Sequence, residues 1–289
     1  MRLDTYLAKA YPTLSRSTIQ RLIQAGKVTV NNAIISKPAY TVSQDQTISL
    51  EQPKPADFSA TIRDFRQYIL YENKHVIVVN KPAGLLTHAK GTLCNEFTLA
   101  DFAKANFNPA ELDPTNNRLG IVHRLDRDTS GVIILARDLA TMHYLQAQFS
   151  QRKTKKTYLA LVSRAPKQPA ATINLPLARN PKKPASFMVT AHGKPAITDY
   201  RTLEKFANGM ALLELKPHTG RTHQLRVHLN YINAPIVGDR LYNATSTAKR
   251  MYLHAQTLEI TIPTDNGNTR MTFQAPLPSD FEAAIQHVR

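Results

Sequence analysis

Residues 121–136 read Ile121-Val122-His123-Arg124-Leu125-Asp126-Arg127-Asp128-Thr129-Ser130-Gly131-Val132-Ile133-Ile134-Leu135-Ala136. Two short apolar runs bracket the densest polar cluster in the chain. Short apolar runs bounded by turn residues are the pattern of buried strands. The stretch therefore predicts a strand, a charged loop and a second strand, with the loop side chains held rigidly at a sheet edge. Leu125 points into the core, so Arg124 and Asp126 face the opposite way. A carboxylate flanked by arginines stays ionised at neutral pH. The same residue types also build ordinary surface turns with ion pairs, the commoner outcome for an isolated His-Arg-x-Asp.

Outward from this stretch, strand patterns recur at Val76–Val79, Tyr158–Val162, Ala196–Leu203, Ala211–Leu215 and Leu258–Ile262. Helical spacing recurs near 98–107, 138–150, 222–232 and 279–288. Strands and helices do not alternate strictly. The order predicts an α+β fold, with flanking helices on a mixed, mostly antiparallel β-sheet. Upstream, Leu3, Tyr6, Leu7 and Ala10 keep helical spacing. Ser15 or Ser17 can cap a second helix with Ile19, Leu22 and Ile23 on its inner face, and Gly26 ends it. Lys27–Val30 alternates as a strand, Asn31-Asn32 is a turn signal, and residues 47–50 make a last strand. Residues 1–50 thus form a small α/β unit. Residues 51–62 are a linker, opened by the proline-rich Glu51-Gln52-Pro53-Lys54-Pro55-Ala56-Asp57, and 63–289 are the large domain.

Lysine and arginine number 37 against 21 acids, a net charge of +16. Residues 151–200 are especially basic, with Asp199 their one acid. Such an excess attracts a polyanion over a long range. Nucleic acid is favoured over a membrane surface, because no basic amphipathic helix accompanies the charge. Solubility alone is the plainer explanation. The single cysteine, Cys94, excludes a disulfide framework and disfavours a thiolate metal site. No signal-peptide pattern opens the chain, and the apolar runs are too short to span a bilayer. A soluble, cytoplasmic protein without membrane contact is expected.

Three further stretches carry chemistry. Residues 155–162, KKTYLALV, feed a basic run into a strand that bears Tyr158. Cations hold phosphates and an aromatic face stacks on an unpaired base, although a strand tyrosine is also ordinary core. Residues 219–228, TGRTHQLRVH, follow a strand and open a helix. Arg221 is expected in the first helical turn, where a cation opposes the helix dipole unless it meets an anion. His218, His223 and His228 recur at a spacing that does not stack them on one helical face, so no metal is expected there. Residues 81–86, KPAGLL, shape a tight loop at a strand end. Phosphate-loop, dinucleotide and nucleophile-elbow patterns are absent. Chemistry that consumes nothing and needs no cofactor fits this set.

The run HRLDRDTSG at 123–131, with KKTYLALV, TGRTHQLRVH and the upstream KPAGLL in that order, resembles the RluA-type pseudouridine synthases from about residue 70 onward. Residues 1–50 resemble the S-four RNA-binding domain through SRSTIQRLIQAGKVTVNN at 15–32. Two departures touch loop shape: His88-Ala89 stands where the family often has His-Pro, and Asn243 where glycine is common. The resemblance implies a catalytic domain with a central RNA-binding cleft that isomerises uridine without cofactor or metal. It implies Asp126 as the catalytic carboxylate, acting at the anomeric carbon or stabilising charge on the sugar. Tyr158 would stack on the base and assist the final proton removal, Arg221 would pair with Asp126, and Arg124 would fill the gap left by the flipped nucleotide. RNA contacts are expected from His123, Arg127, Lys155 and Lys156, and on the small domain from Arg16, Arg21 and Lys27. A monomer is expected, acting on large-subunit ribosomal RNA, with transfer RNA as the alternative. The rival readings are a non-catalytic RNA-binding assembly protein, which would not need Asp126, and an RNA hydrolase, for which only Asp128 stands near as a second acid.

Overall fold

Every residue of the strand Ser130–Ala136 is buried, because it runs through a sheet covered on both faces. In the computed structural model, which describes residues 1–12, 14–51, 57–89, 95–113, 116 and 118–289, the chain divides into two units. One is Met1–Ser59 with Ala89–Glu96, the other Ala60–His88 with Phe97–Arg289. Cys94 and the Gln52–Ala56 part of the expected linker lie outside the described residues.

In the first unit, helices α1 (Leu3–Ala10) and α2 (Arg16–Gln24) precede a small sheet of β1 (Val28–Val30), β2 (Ala33–Ile34) and β3 (Ile48–Leu50). Ser15 is the residue that caps α2, its hydroxyl accepting from the Thr18 amide at 3.2 Å. Asn31 and Asn32 adopt φ of 48° and 67°, the conformation that a two-residue hairpin turn demands. Leu3, Leu7, Ile19, Leu22, Ile23 and Val28 form the core. Beside it, the fully buried Asp4 accepts from Arg2, Arg16 and Gln20. The Arg2 hydrogen bond leads in holding this carboxyl well below its usual range, against the opposing effect of burial.

A helix, α3 (Ser59–Phe65), begins inside the stretch expected as linker. The second unit continues with β4 (Ile69–Glu72), β5 (Val76–Lys81), α4 (Leu99–Ala105), β6 (Ser130–Ala136), α5 (Leu139–Ser150) and β7 (Lys155–Val162). Then come β8 (Ala170–Asn174), a hairpin of β9 (Leu177–Arg179) and β10 (Phe187–Val189), β11 (Ile197–Lys205) and β12 (Ala211–Pro217). Helix α6 (Gln224–Tyr231), β13 (Leu253–Thr264), β14 (Gly267–Gln274) and α7 (Ser279–Val288) complete it. The main sheet runs β4-β5-β6-β13-β7-β12-β11-β8, with β14 beside β13. Its pairings are antiparallel except β6 with β13, which is parallel.

Period-two alternation explains the burial of β6. Val132 and Ile134 pack on one face with Met142 and Leu145 of α5. Ile133 and Leu135 pack on the other with Leu99, Phe102 and Ala103 of α4. Helix α6 lays Leu225 and Leu229 on Ala160, Leu213 and Leu215. At the β6–β13 contact, Gly131 has φ +117°, and a Cβ there would meet the Ala255 carbonyl oxygen at 2.1 Å. Only glycine lets the two backbones approach so closely. The expected strand at Ile121-Val122 is a correction. Ile121 makes one isolated bridge to Leu135, and Gly120, at φ +76°, turns the chain before a ladder can form. Among the described residues no helix is long and apolar enough to cross a membrane.

Candidate active site

The loop that enters β6 is fixed from beneath. Leu125 is buried with Ile133, Leu135 and Ala255, which turns Arg124 and Asp126 the other way, as alternation expects. The Thr87 hydroxyl donates to the Leu125 carbonyl at 2.8 Å. Lys81, fully buried, donates to the carbonyls of Pro82, Leu85 and Arg127 at 2.8, 2.8 and 3.0 Å. The Gly84 amide also donates to Arg127 O, at 2.9 Å. The KPAGLL turn is thus a clasp on the Asp126 loop. Burial pulls the Lys81 ammonium down to about 7, and the three carbonyls give it the acceptors that a buried donor requires.

Asp126 Oδ2 accepts from Arg226 Nη1 at 3.1 Å. Arg226 also makes a two-pronged pair with the buried Asp239, at 2.7 and 2.8 Å, and its guanidinium lies 5.1 Å from the Tyr242 ring centre. Burial opposes the Arg226 charge, but the bonds and charges of Asp239 and Asp126 outweigh it and raise its pKa. Asp126 Oδ1 makes no hydrogen bond among the described residues. His223, with φ 57°, sits at the start of α6 with Nε2 3.8 Å from Asp126 Oδ2. Its Nδ1 is 3.0 Å from the Tyr242 hydroxyl, which accepts from the Phe187 amide. The tyrosine proton is then free to reach Nδ1, which leaves the Nε2 proton on the side of Asp126. Burial lowers the His223 pKa despite the nearby carboxylate, so the ring is neutral at pH 7.

Tyr158 comes from the neighbouring part of the sheet, where β7 pairs it with Leu215 on β12 and Ala255 on β13. Burial, then the charge of Asp126, raises its pKa. A cavity of about 110 Å³ is lined by Asp126, Tyr158, Arg226, His223, Arg221 and Arg124 among others. Asp126 and Tyr158 therefore share one site.

Arg221 requires a correction. It does not pair with Asp126; its Nε donates to the Pro195 carbonyl at 3.1 Å. Helix α6 starts at Gln224, later than the expected 222, so Arg221 lies in the connection. Arg226 occupies the first turn, and it is this cation that meets anions there. His123 is held on its inner side and also lines a neighbouring cavity. Its Nε2 accepts from the Ile134 amide at 3.1 Å, its ring stacks on Phe149, and burial pushes its pKa down to about 3. Arg124 is exposed at the cavity. Arg127 serves the clasp through its carbonyl. Lys155 pairs with Glu259 at 3.3 Å, whereas Lys156 lines the cavity. In the first unit, Arg16 is bound to Asp4 at 3.0 Å, Arg21 reaches the Ser17 carbonyl at 3.4 Å, and Lys27 pairs with Glu51 at 2.8 Å. All three remain at the surface.

The sequence alone does not mark Arg226, Asp239, Tyr242 or His223 as site residues. Arg226 and His223 lay in the quoted TGRTHQLRVH, where exact helix start alone separates Arg226 from Arg221. Asp239 and Tyr242 are brought in by tertiary contact only. Among the described residues, no group of His, Cys, Asp and Glu could hold a metal ion.

The family model for RNA pseudouridylate synthase matches residues 75–231, and that for the S4 domain matches residues 1–48. An RNA pseudouridine synthase of Aquifex aeolicus is 37% identical over 253 residues, 86% of this chain and 78% of the relative. A ribosomal large subunit pseudouridine synthase D of Xylella fastidiosa is 36% identical over 300 residues, 97% of this chain and 86% of the relative. Human RNA pseudouridylate synthase domain containing 4 shares the fold, with a TM-score of 0.62 at 24% identity over 80% of this chain and 96% of that one. An aspartate loop at the β6 edge, a sheet tyrosine beside it and this breadth of likeness have one explanation: the chain belongs to the RNA pseudouridine synthase family, isomerases of uridine in RNA, and carries an S4 RNA-binding domain over residues 1–48.

Proposed function

We propose that the chain isomerises uridines of large-subunit ribosomal RNA, with Asp126 as the catalytic carboxylate. One observation carries the reading. Asp126 is held by Arg226 on one oxygen, while the other oxygen is unbonded at a cavity shared with Tyr158. A carboxylate so placed meets the anomeric carbon of a flipped uridine. Breaking the C1′–N1 bond there leaves positive charge on the sugar, which a carboxylate stabilises or captures. The uracil turns, C1′ joins C5, the C5 proton leaves and N1 regains one. Tyr158 stacks on the loose base. Its raised pKa keeps the phenol protonated at neutral pH, which favours stacking and donation over acceptance of the C5 proton. Arg226, and not Arg221, orients Asp126. Arg124, exposed beside the cavity, fills the space that the flipped nucleotide leaves in the RNA.

A hydrolase would need a second positioned acid. Asp239 is taken up by Arg226, and Asp128 lines a different cavity with Lys81 and Lys249. The ribosomal substrate rests on relatives such as the Xylella fastidiosa protein, whose name specifies the large ribosomal subunit. Mapping pseudouridine in total RNA from cells with and without the gene tests it. Loss of one or a few pseudouridines in large-subunit RNA is expected; losses confined to transfer RNA would contradict the substrate.

A further inference from the structure

The strand that carries Tyr158 also carries a cation with nothing to balance it. Period two puts Lys156 on the same face of β7 as Tyr158, while Lys155 meets Glu259. Lys156 is half-buried, and burial is the one cause that lowers its pKa. It makes no hydrogen bond or ion pair among the described residues. Its stem is drawn into the wall while its Nζ still reaches water, so the charge is partly desolvated and unpaired. A cation in that state beside a cavity is suited to take an anion as its partner.

Lys156 stands where two cavities meet. The first is the Asp126–Tyr158 cavity, of about 110 Å³. The second, of about 440 Å³, shares Arg124, Lys156, Tyr158 and Arg221 with it and continues past Arg152 to His218. Its lining contains no Asp or Glu. The side chains of Arg124 and Arg152 have no hydrogen-bond partner among the described residues, and Arg221 uses only its Nε. The smaller space suits one base. The larger suits a nucleotide, being within the range of about 300–1,000 Å³ that small-molecule sites occupy. Its cations are of the kind that bind phosphate.

Resting on the synthase reading, we propose that the second cavity takes the nucleotide adjacent to the target uridine, and that Lys156 holds the phosphate joining the two. Lys156 is then the hinge of the bound strand: on one side the base detaches and turns, on the other the neighbour stays fixed. Arg152 and Arg221 hold the outer part of that neighbour. The recognised group is an RNA phosphodiester in either strand direction, since the cavity fixes a charge and not a polarity.

The test is a double-mutant cycle between full-length protein and RNA. The RNA is a synthetic large-subunit stem-loop containing the uridine that mapping identifies. Two versions of it carry a neutral methylphosphonate on the 5′ or the 3′ side of that uridine. The protein partner is Lys156→Met, which keeps the apolar stem and removes the charge. One methylphosphonate position is expected to raise the wild-type KM about ten- to a hundredfold and to add nothing in Lys156→Met, whose KM is already raised by that factor. Without RNA, Lys156→Met is expected to melt no lower than wild type, because an unpaired, partly desolvated charge is gone and the apolar stem is kept. Penalties that multiply at both positions overturn the assignment, as does a Lys156→Met protein with wild-type KM or a lowered melting temperature. Wild-type turnover of the unmodified stem-loop separates these results from failure of the synthase reading. Absence of that product would overturn both.

Discussion

Arg226 touches two carboxylates whose fates differ. Asp239 is almost wholly buried and spends both oxygens on the guanidinium, whereas Asp126 gives it one oxygen and leaves the other unbonded at the cavity. Removing the arginine strands a buried charge, a loss of roughly 3–5 kcal/mol when one partner of a buried pair is deleted. Arg226→Gln is therefore expected to lower both the melting temperature and kcat. Arg221→Gln, which removes an exposed cation and its exposed bond to the Pro195 carbonyl, is expected to keep the melting temperature within a degree or two and to act on KM. Steady-state kinetics beside thermal unfolding distinguish the two. Equal kcat losses from both variants, with stability intact, would return the orienting role to Arg221. At this scale the sequence was nearly sufficient. Asp126 and Tyr158 lie in contiguous motifs, but Arg226 and Arg221 differ only by where a helix starts, and helix ends are the least certain feature of a pattern.

Among the elements, the KPAGLL turn does more than cap β5. Lys81 satisfies three carbonyls, one of them in the Asp126 loop. Lys81→Met leaves the Pro82 and Leu85 carbonyls without a donor, each at a cost of about 1–3 kcal/mol, while the Arg127 carbonyl keeps the Gly84 amide. It is expected to lower stability to denaturant by roughly 3 kcal/mol or more and to reduce kcat even where the protein remains folded. A variant as stable and active as wild type would show that the loop holds its shape without the clasp. The strands that could be read from the sequence are those with apolar runs or strong alternation, such as β5, β6 and β12. β8 and β14 are not legible because they are largely exposed and carry little apolar signal, as in Ala170–Asn174 and Gly267–Gln274. Their pairing is supplied by β11 and β13, not by their own composition.

For the whole molecule, the charge of +16 and the S4 domain point to the same partner. Arg16, Arg21 and Lys27 keep exposed surface despite their intramolecular bonds. We expect that deleting residues 1–50 leaves a folded catalytic unit, which has cores of its own. Activity on a short stem-loop should survive and activity on long ribosomal RNA should fall. The salt dependence of binding should become shallower, since lost phosphate contacts release fewer counterions. A truncated protein equally active on both RNAs would show that the small domain does not help to select substrate. The charge excess was legible from composition alone, whereas the cavity that uses Lys156 needed the folded chain.

The account rests on Asp126, and Asp126→Asn tests it with the least disturbance, keeping size while removing charge. The measurement is tritium release from RNA labelled at uridine C5, paired with an RNA-binding titration at fixed salt. The account predicts no detectable turnover with affinity within a few-fold of wild type, because distant cations carry most of the binding. Turnover retained near the wild-type rate would contradict it.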